Sequence, residues 1–290
     1  MTSTHAPDLI VVGDVMVDVT VDAGALATGG DVHGEVRLRP GGGGANAAAW
    51  AAAGGAAVRL YGRVGDDLAG RLARESLEAR GVDARLAVDP SARTGAMLVV
   101  RDGRDRSMVA DRGANARLSP GDIPEVLEAG AVLVSGYLLF DPGSEDAAVA
   151  ALRRSASSWT AVDAASWPLI ESMGRDRFFE LTEPASMVLA NEREAESLTE
   201  ATDEAAAAVL GKRYATACVK LGPRGAVLAS PDGIHRAGAR AVRAVDPTGA
   251  GDAFDGVLLA ALAAGAGAEQ ALALACDAGA RAAATAELWP

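Results

Sequence analysis

The chain has 290 residues, 50% of them hydrophobic, and carries 39 acids against 27 bases for a net charge of −12. That length buries a sizeable core in one large domain, and an acidic surplus without a basic run excludes a nucleic-acid or anionic-membrane surface. Cys218 and Cys276 sit in no metal-ligand or disulfide spacing, and no apolar stretch approaches the ~18 residues of a membrane span, so a cytoplasmic protein in a reducing compartment is expected.

Short apolar runs bounded by Gly, Asp or Pro lie at Leu9–Val12, Val58–Tyr61, Ala131–Val134, Ala161–Val162, Met187–Leu189 and Cys218–Leu221, and each reads as a buried strand. Helical patterns fall between them at Asp67–Arg80, Pro124–Ala129, Glu145–Ser155, Arg193–Thr199 and Asp203–Tyr214. This alternation predicts an α/β fold with a mostly parallel sheet covered on both faces, whose ligands gather at the carboxyl ends of the strands. The spans 18–39 and 94–112 instead alternate apolar and polar residues around turn signals such as Asp102-Gly103, which predicts β-ribbons forming a small lid. With no internal repeat and no linker, residues 1–290 are expected to form a single domain.

In Asp246-Pro-Thr-Gly-Ala-Gly-Asp-Ala-Phe-Asp-Gly256, the apolar positions Phe254, Val257, Leu258, Ala261 and Leu262 trace one helix face, so the glycines sit at a helix N-terminus. Free amides and the helix dipole make such an end an anion site. Asp252 falls in the first turn, where that field favours its ionised form and lets it take the proton of an attacking hydroxyl. A tight turn with an ordinary helix-start acid is the alternative reading. No P-loop is present, and neither glycine cluster completes G-x-G-x-x-G.

The second cluster, Pro40-Gly-Gly-Gly-Gly-Ala-Asn46, precedes a small-residue helix at Ala47–Ala53 that stops at Gly54-Gly55. It is either a flexible turn or a set of exposed amides suited to polyol hydroxyls. Asp14 and Asp18, just past the first strand, are either sugar-hydroxyl acceptors or solvated loop acids. Asn191 caps a helix whose first turn carries Glu194, and contact with Mg²⁺ through water is the second reading of that acid.

Together these motifs resemble the ribokinase-like (PfkB) carbohydrate kinases along nearly the whole chain, from GDVMVD through GGGGAN, Arg112-Gly-Ala-Asn115, Asn191-x-x-Glu194 and Lys220-Leu-Gly-x-x-Gly225 to DPTGAGDAFDG. The resemblance implies a three-layer αβα sandwich with a mostly parallel central sheet and a small β lid, and transfer of the ATP γ-phosphate to a sugar hydroxyl. By position it implies Asp252 as catalytic base and Gly249, Ala250 and Gly251 as the anion hole. It also implies Asn191 and Glu194 as the Mg²⁺–phosphate motif, and Lys220, Gly222 and Gly225 as the strand and loop beside the nucleotide. Asp14, Asp18, Gly42, Gly43 and Asn46 match substrate positions. Asp246 and Thr248 match a monovalent-cation site, such as one for K⁺, and Cys276 stands where relatives often carry Asn or His against adenine.

Ribokinases carry Lys where Gly43 stands and Asn where Met16 stands, so a ribose pocket is not implied. Arg106 and Arg112 on the lid segment either steer a carboxylate or phosphate of the substrate or are solvated. A nucleoside kinase and a catalytically silent ligand-binding protein are the competing expectations. Lid edges that pair between chains make a homodimer the expected assembly.

Overall fold

A computed structural model of the chain describes residues 6–24, 26–101, 106–285 and 288–290. In chain order the strands are β1 (Leu9–Val12), β2 (Met16–Asp22), β3 (Glu35–Gly41), β4 (Val58–Gly65), β5 (Asp83–Asp89), β6 (Gly95–Arg101), β7 (Arg106–Asp111), β8 (Leu127–Glu128), β9 (Ala131–Ser135), β10 (Ser155–Ala156), β11 (Trp159–Asp163), β12 (Met187–Asn191), β13 (Thr216–Lys220), β14 (Ala226–Ser230) and β15 (Gly233–Ala237). The helices are α1 (Gly43–Ala53), α2 (Leu68–Glu78), α3 (Glu145–Arg154), α4 (Trp167–Met173), α5 (Arg175–Leu181), α6 (Glu192–Thr199), α7 (Asp203–Tyr214), α8 (Ala250–Ala263) and α9 (Ala268–Ala283). None of the described helices is long and apolar enough to cross a membrane.

Nine of these strands form one sheet in the order β15-β14-β13-β12-β11-β9-β1-β4-β5, parallel from β5 to β13 and closed by the antiparallel β14 and β15. β1 is buried throughout, as a strand covered on both faces requires. Its alternate side chains enter two different cores. Ile10 and Val12 pack with Leu152, Phe178, Leu198 and Leu210 of α3, α5, α6 and α7, while Leu9 and Val11 pack with Ala48, Leu77, Leu258 and Leu272 of α1, α2, α8 and α9. The result is the three-layer sandwich.

A second sheet, β3-β2-β6-β7, forms the lid. Only residues 13–15 separate β2 from β1, so the lid grows from the carboxyl end of a central strand. Its register aligns Leu38, Val19, Leu98 and Val109 across the four strands, giving one apolar face on which Leu38, Leu98 and Val109 are exposed. The neighbouring positions Asp18, Arg39 and Arg101 lie on the opposite face. The Asp102-Gly103 turn lies outside the described residues.

Two expectations change. Pro124–Ala129 is not a helix: six residues are too few to offset helix nucleation, and Leu127–Glu128 instead pairs with Ser155–Ala156. α1 begins at Gly43, inside the glycine cluster, because a Cβ on Gly44 would lie 2.8 Å from the Gly13 backbone. Those glycines serve a backbone crossing. Gly256 does the same for α8: a Cβ there would sit 2.1 Å from the Ala47 carbonyl oxygen, so α8 lies directly on α1. Gly256→Ala is therefore expected to cost about 1–3 kcal/mol in chemical denaturation. Gly238→Ala, where a Cβ meets no described atom within 4 Å, should stay within about 0.5 kcal/mol of the parent.

Candidate active site

The α1–α8 contact brings Asn46 to Asp252. The Asn46 amide donates to Asp252 Oδ2 at 2.7 Å across 206 residues of sequence. Gly249 starts α8 in the left-handed region, at φ 78°, which glycine adopts without strain, and no described side chain caps this end. The Ala250 N–H turns back to the Pro247 carbonyl at 3.2 Å, and the other amides of this helix start lie beside Asp252, where an anion is favoured. A Cβ on Gly43 would lie 3.5 Å from Asp252 Oδ1, so the start of α1 leaves the face of that carboxylate clear. Burial pushes Asp252 up to about 6 against the Asn46 hydrogen bond, with Asp163 raising it and Lys220 lowering it.

Behind Asp252 lies a cluster built from strand ends. Lys220, the last residue of β13, donates to Asp255 Oδ2 at 2.7 Å and to Asp163 Oδ1, at the end of β11, at 3.2 Å. Lys220, which the resemblance places beside the nucleotide, thus serves as counter-ion to the acids. Burial would depress its ammonium, but Asp163, Asp255 and Glu194 hold it well above its ordinary value. Burial raises Asp255 well above the carboxylate range, against Lys220. Burial and Asp163 push Glu194 up to about 7. Asn191 and Glu194 form a reciprocal capping box: the Glu194 N–H donates to Asn191 Oδ1 at 3.0 Å and the Asn191 N–H to Glu194 Oε2 at 2.7 Å.

This cluster fits a hard cation. Its acids outnumber its lysine, and Asp255 Oδ1 is buried with no hydrogen-bond partner among the described residues. No described group of three or more His, Cys, Asp or Glu could cage a metal alone. That donor set suits Mg²⁺, which keeps waters and takes phosphate oxygens as further ligands.

On the lid side, Arg112 donates to Asp14 Oδ1 at 2.9 Å and lies 6.0 Å from the Tyr137 ring centroid. Arg112 is therefore not a free cation; it neutralises a buried acid that burial pushes up and Arg112 pulls back. Burial, then Asp252 and Asp246, raise Asp18 to about 7. Gly42, at φ 97°, lets the chain pass the Asp14 carbonyl, where a Cβ would stand 2.6 Å away. Asp246 accepts from the Thr248 hydroxyl at 2.7 Å and pairs with Arg101 from β6, so a lid residue meets the turn before α8. Gly222 and Gly225 shape the loop after β13 with φ of 56° and 97°. Cys276 is buried in α9 with its thiol 3.8 Å from the Ala237 carbonyl oxygen. The Arg106 side chain lies outside the described ones.

Asp163, Asp255 and Arg101 are absent from the sequence-based set. Asp163 had a usable signal, an acid directly after a buried strand run, and Asp255 another, an acid inside an apolar helix. Arg101 had none, since its partner lies 145 residues away.

The pfkB family carbohydrate kinase pattern matches residues 6–287. The chain belongs to that family. The 2-dehydro-3-deoxygluconokinase of Thermoproteus tenax is 33% identical over 241 residues, covering 78% of this chain and 74% of its own. The adenosine kinase from Sinorhizobium meliloti superposes with a TM-score of 0.86 at 25% identity, over 99% of this chain and 96% of its own. An E. coli protein solved in complex with ATP and Mg²⁺ has the same fold, with a TM-score of 0.85 at 24% identity over 97% of this chain and 94% of its own.

Removing the lysine of this kinase should expose the cost of its acids. Lys220→Met is expected to lose about 3–5 kcal/mol in urea denaturation near neutral pH, because it leaves carboxylates buried without a counter-charge. The loss should shrink as pH falls: with carboxylate values raised, the folded state binds more protons than the unfolded one, so acid favours the fold.

Proposed function

We propose that the protein transfers the γ-phosphate of ATP to a hydroxyl of a sugar or sugar derivative, with Asp252 as general base. The observation that carries this is the half-buried Asp252 carboxylate in the first turn of α8, held by Asn46 and pushed up to about 6. A base with that value is ionised at neutral pH yet basic enough to take a proton.

The acceptor hydroxyl gives its proton to Asp252 while its oxygen attacks the γ-phosphorus and the bond to the ADP oxygen breaks. The Gly249, Ala250 and Gly251 backbone faces the charge developing on the phosphoryl oxygens. Glu194 and Asn191 are the residues that would hold Mg²⁺ and its waters, which offset phosphate charge when the ion is bound. Asp18, raised to about 7, can donate to or accept from a sugar hydroxyl near neutrality. The Asp14–Arg112 pair and Gly42 stand beside it on the lid side. Gly222, Gly225 and buried Cys276 lie on the nucleotide side of this reading. Asp246, paired with Arg101, and Thr248 are the residues that would hold a monovalent cation such as K⁺.

Likeness to 2-dehydro-3-deoxygluconokinase supports a sugar-type acceptor. Likeness to an adenosine kinase supports a nucleoside as second reading. ADP release with 2-dehydro-3-deoxygluconate, ribose, ribose 1-phosphate and adenosine separates the two. Asp252→Asn is expected to fold normally and lose about 10²–10⁴-fold in turnover; near-normal turnover would sink the base assignment. Because Asp252 must be ionised, kcat/KM should fall as pH drops through about 6.

A cytoplasmic setting accords with ATP use and with free thiols at Cys218 and Cys276. The exposed apolar row of Leu38, Leu98 and Val109 supports a homodimer through the lid. Light scattering should show a dimer that Leu38→Lys with Leu98→Lys converts to monomer; an unchanged mass in that variant overturns this interface.

A further inference from the structure

Asn46 is buried, and both ends of its amide are engaged: its NH₂ donates to Asp252, while its Oδ1 accepts from the Trp289 indole N–H at 2.7 Å. The two contacts are mutually selective. A flipped amide would set NH₂ against the indole N–H and oxygen against the carboxylate, repulsive on both sides. An indole nitrogen only donates, so Trp289 permits one orientation.

Trp289 is itself fixed from outside the site. The Trp50 indole donates to the Leu288 carbonyl at 2.9 Å, Arg80 Nε donates to the Pro290 carbonyl at 3.3 Å, and the Arg80 guanidinium lies 5.1 Å from the centre of the Trp289 ring. The segment 288–290 thus docks between α1 and α2 and delivers a buried donor 243 residues along the chain from its acceptor.

We propose that Trp289 is a positioning residue for phosphoryl transfer, its indole N–H fixing the Asn46 amide in the orientation that donates to Asp252. Trp289 bonds to the residue that orients the base, so it acts on turnover through Asn46. This inference rests on the reading of Asp252 as base.

The test is a double-mutant cycle on the full chain, using ADP release from ATP with the panel acceptor of highest turnover. Trp289→Phe keeps an aromatic ring and removes the donor. It is expected to lower kcat about tenfold and to leave both KM values within about twofold, since the Trp289 indole is buried with its N–H spent on Asn46. In an Asn46→Ala background the same substitution should be silent, because the side chain it orients is gone. Unchanged kcat in Trp289→Phe, or losses that add in the double variant, would overturn the proposal, since a purely structural role predicts addition. If Trp289→Phe does not fold, 3-benzothienylalanine at position 289, close to tryptophan in shape but without the N–H, carries the same test with the same outcomes. An active Asp252→Asn removes the base reading and this inference with it. An inactive Asp252→Asn beside a silent Trp289→Phe removes the inference alone.

Discussion

Gathering four carboxylates, two of them buried, around the single ammonium of Lys220 is the constraint on which the rest of the structure depends. Each buried ion carries a desolvation penalty of several kcal/mol, and one lysine cannot balance Asp163, Glu194, Asp252 and Asp255 together. The chain meets this in three ways. Lys220 bonds two acids directly, Glu194 spends its oxygens on the Asn191 capping box, and Asp252 takes the Asn46 amide. What remains unbalanced is Asp255 Oδ1, together with the upward push on Glu194, Asp255 and Asp252. A site that is electrostatically uncomfortable alone gains most from a bound cation.

The parallel sheet makes this crowding possible. Asp14, Ser135, Asp163, Asn191 and Lys220 all follow or end strands that run in the same direction, so their side chains meet at one edge. The lid rises from that same edge through β2. Arg112 and Arg101 then carry its charge onto Asp14 and Asp246, joining the lid to the first strand and to the turn before α8.

Six strands of the main sheet were legible because a parallel strand covered on both faces needs an apolar run, and LIVV at Leu9–Val12 or MVL at Met187–Leu189 has few other uses; β5, β14 and β15 were not among them. Asp252 was legible because glycines before a helical period have a definite physical meaning at a helix start. The glycine run at 41–44 was harder to read: glycine in sequence marks either freedom or crowding, and only the partner backbone at Gly13 shows crowding at Gly44. Pairing between distant residues left no trace in composition. Nothing near Trp289 announces Asn46, and nothing near Lys220 announces Asp255.

Asp252 and Asp255 show most plainly what tertiary packing adds. They are three residues apart at the start of one helix, both acids, and by local rules the helix dipole should favour the ionised form of each. Burial outweighs the dipole at both positions, but the outcomes diverge with their partners. Asp255 is buried and bonds Lys220 through Oδ2 alone, with Oδ1 left without a partner among the described residues. Asp252 keeps contact with solvent and receives a neutral amide from Asn46, a donor that orients the carboxylate without cancelling its charge. A bonded positive partner would have pulled Asp252 back toward the ordinary carboxylate range, and without the Asn46 hydrogen bond burial would have raised it further. A single neutral hydrogen bond, held in direction by Trp289, lies between those limits.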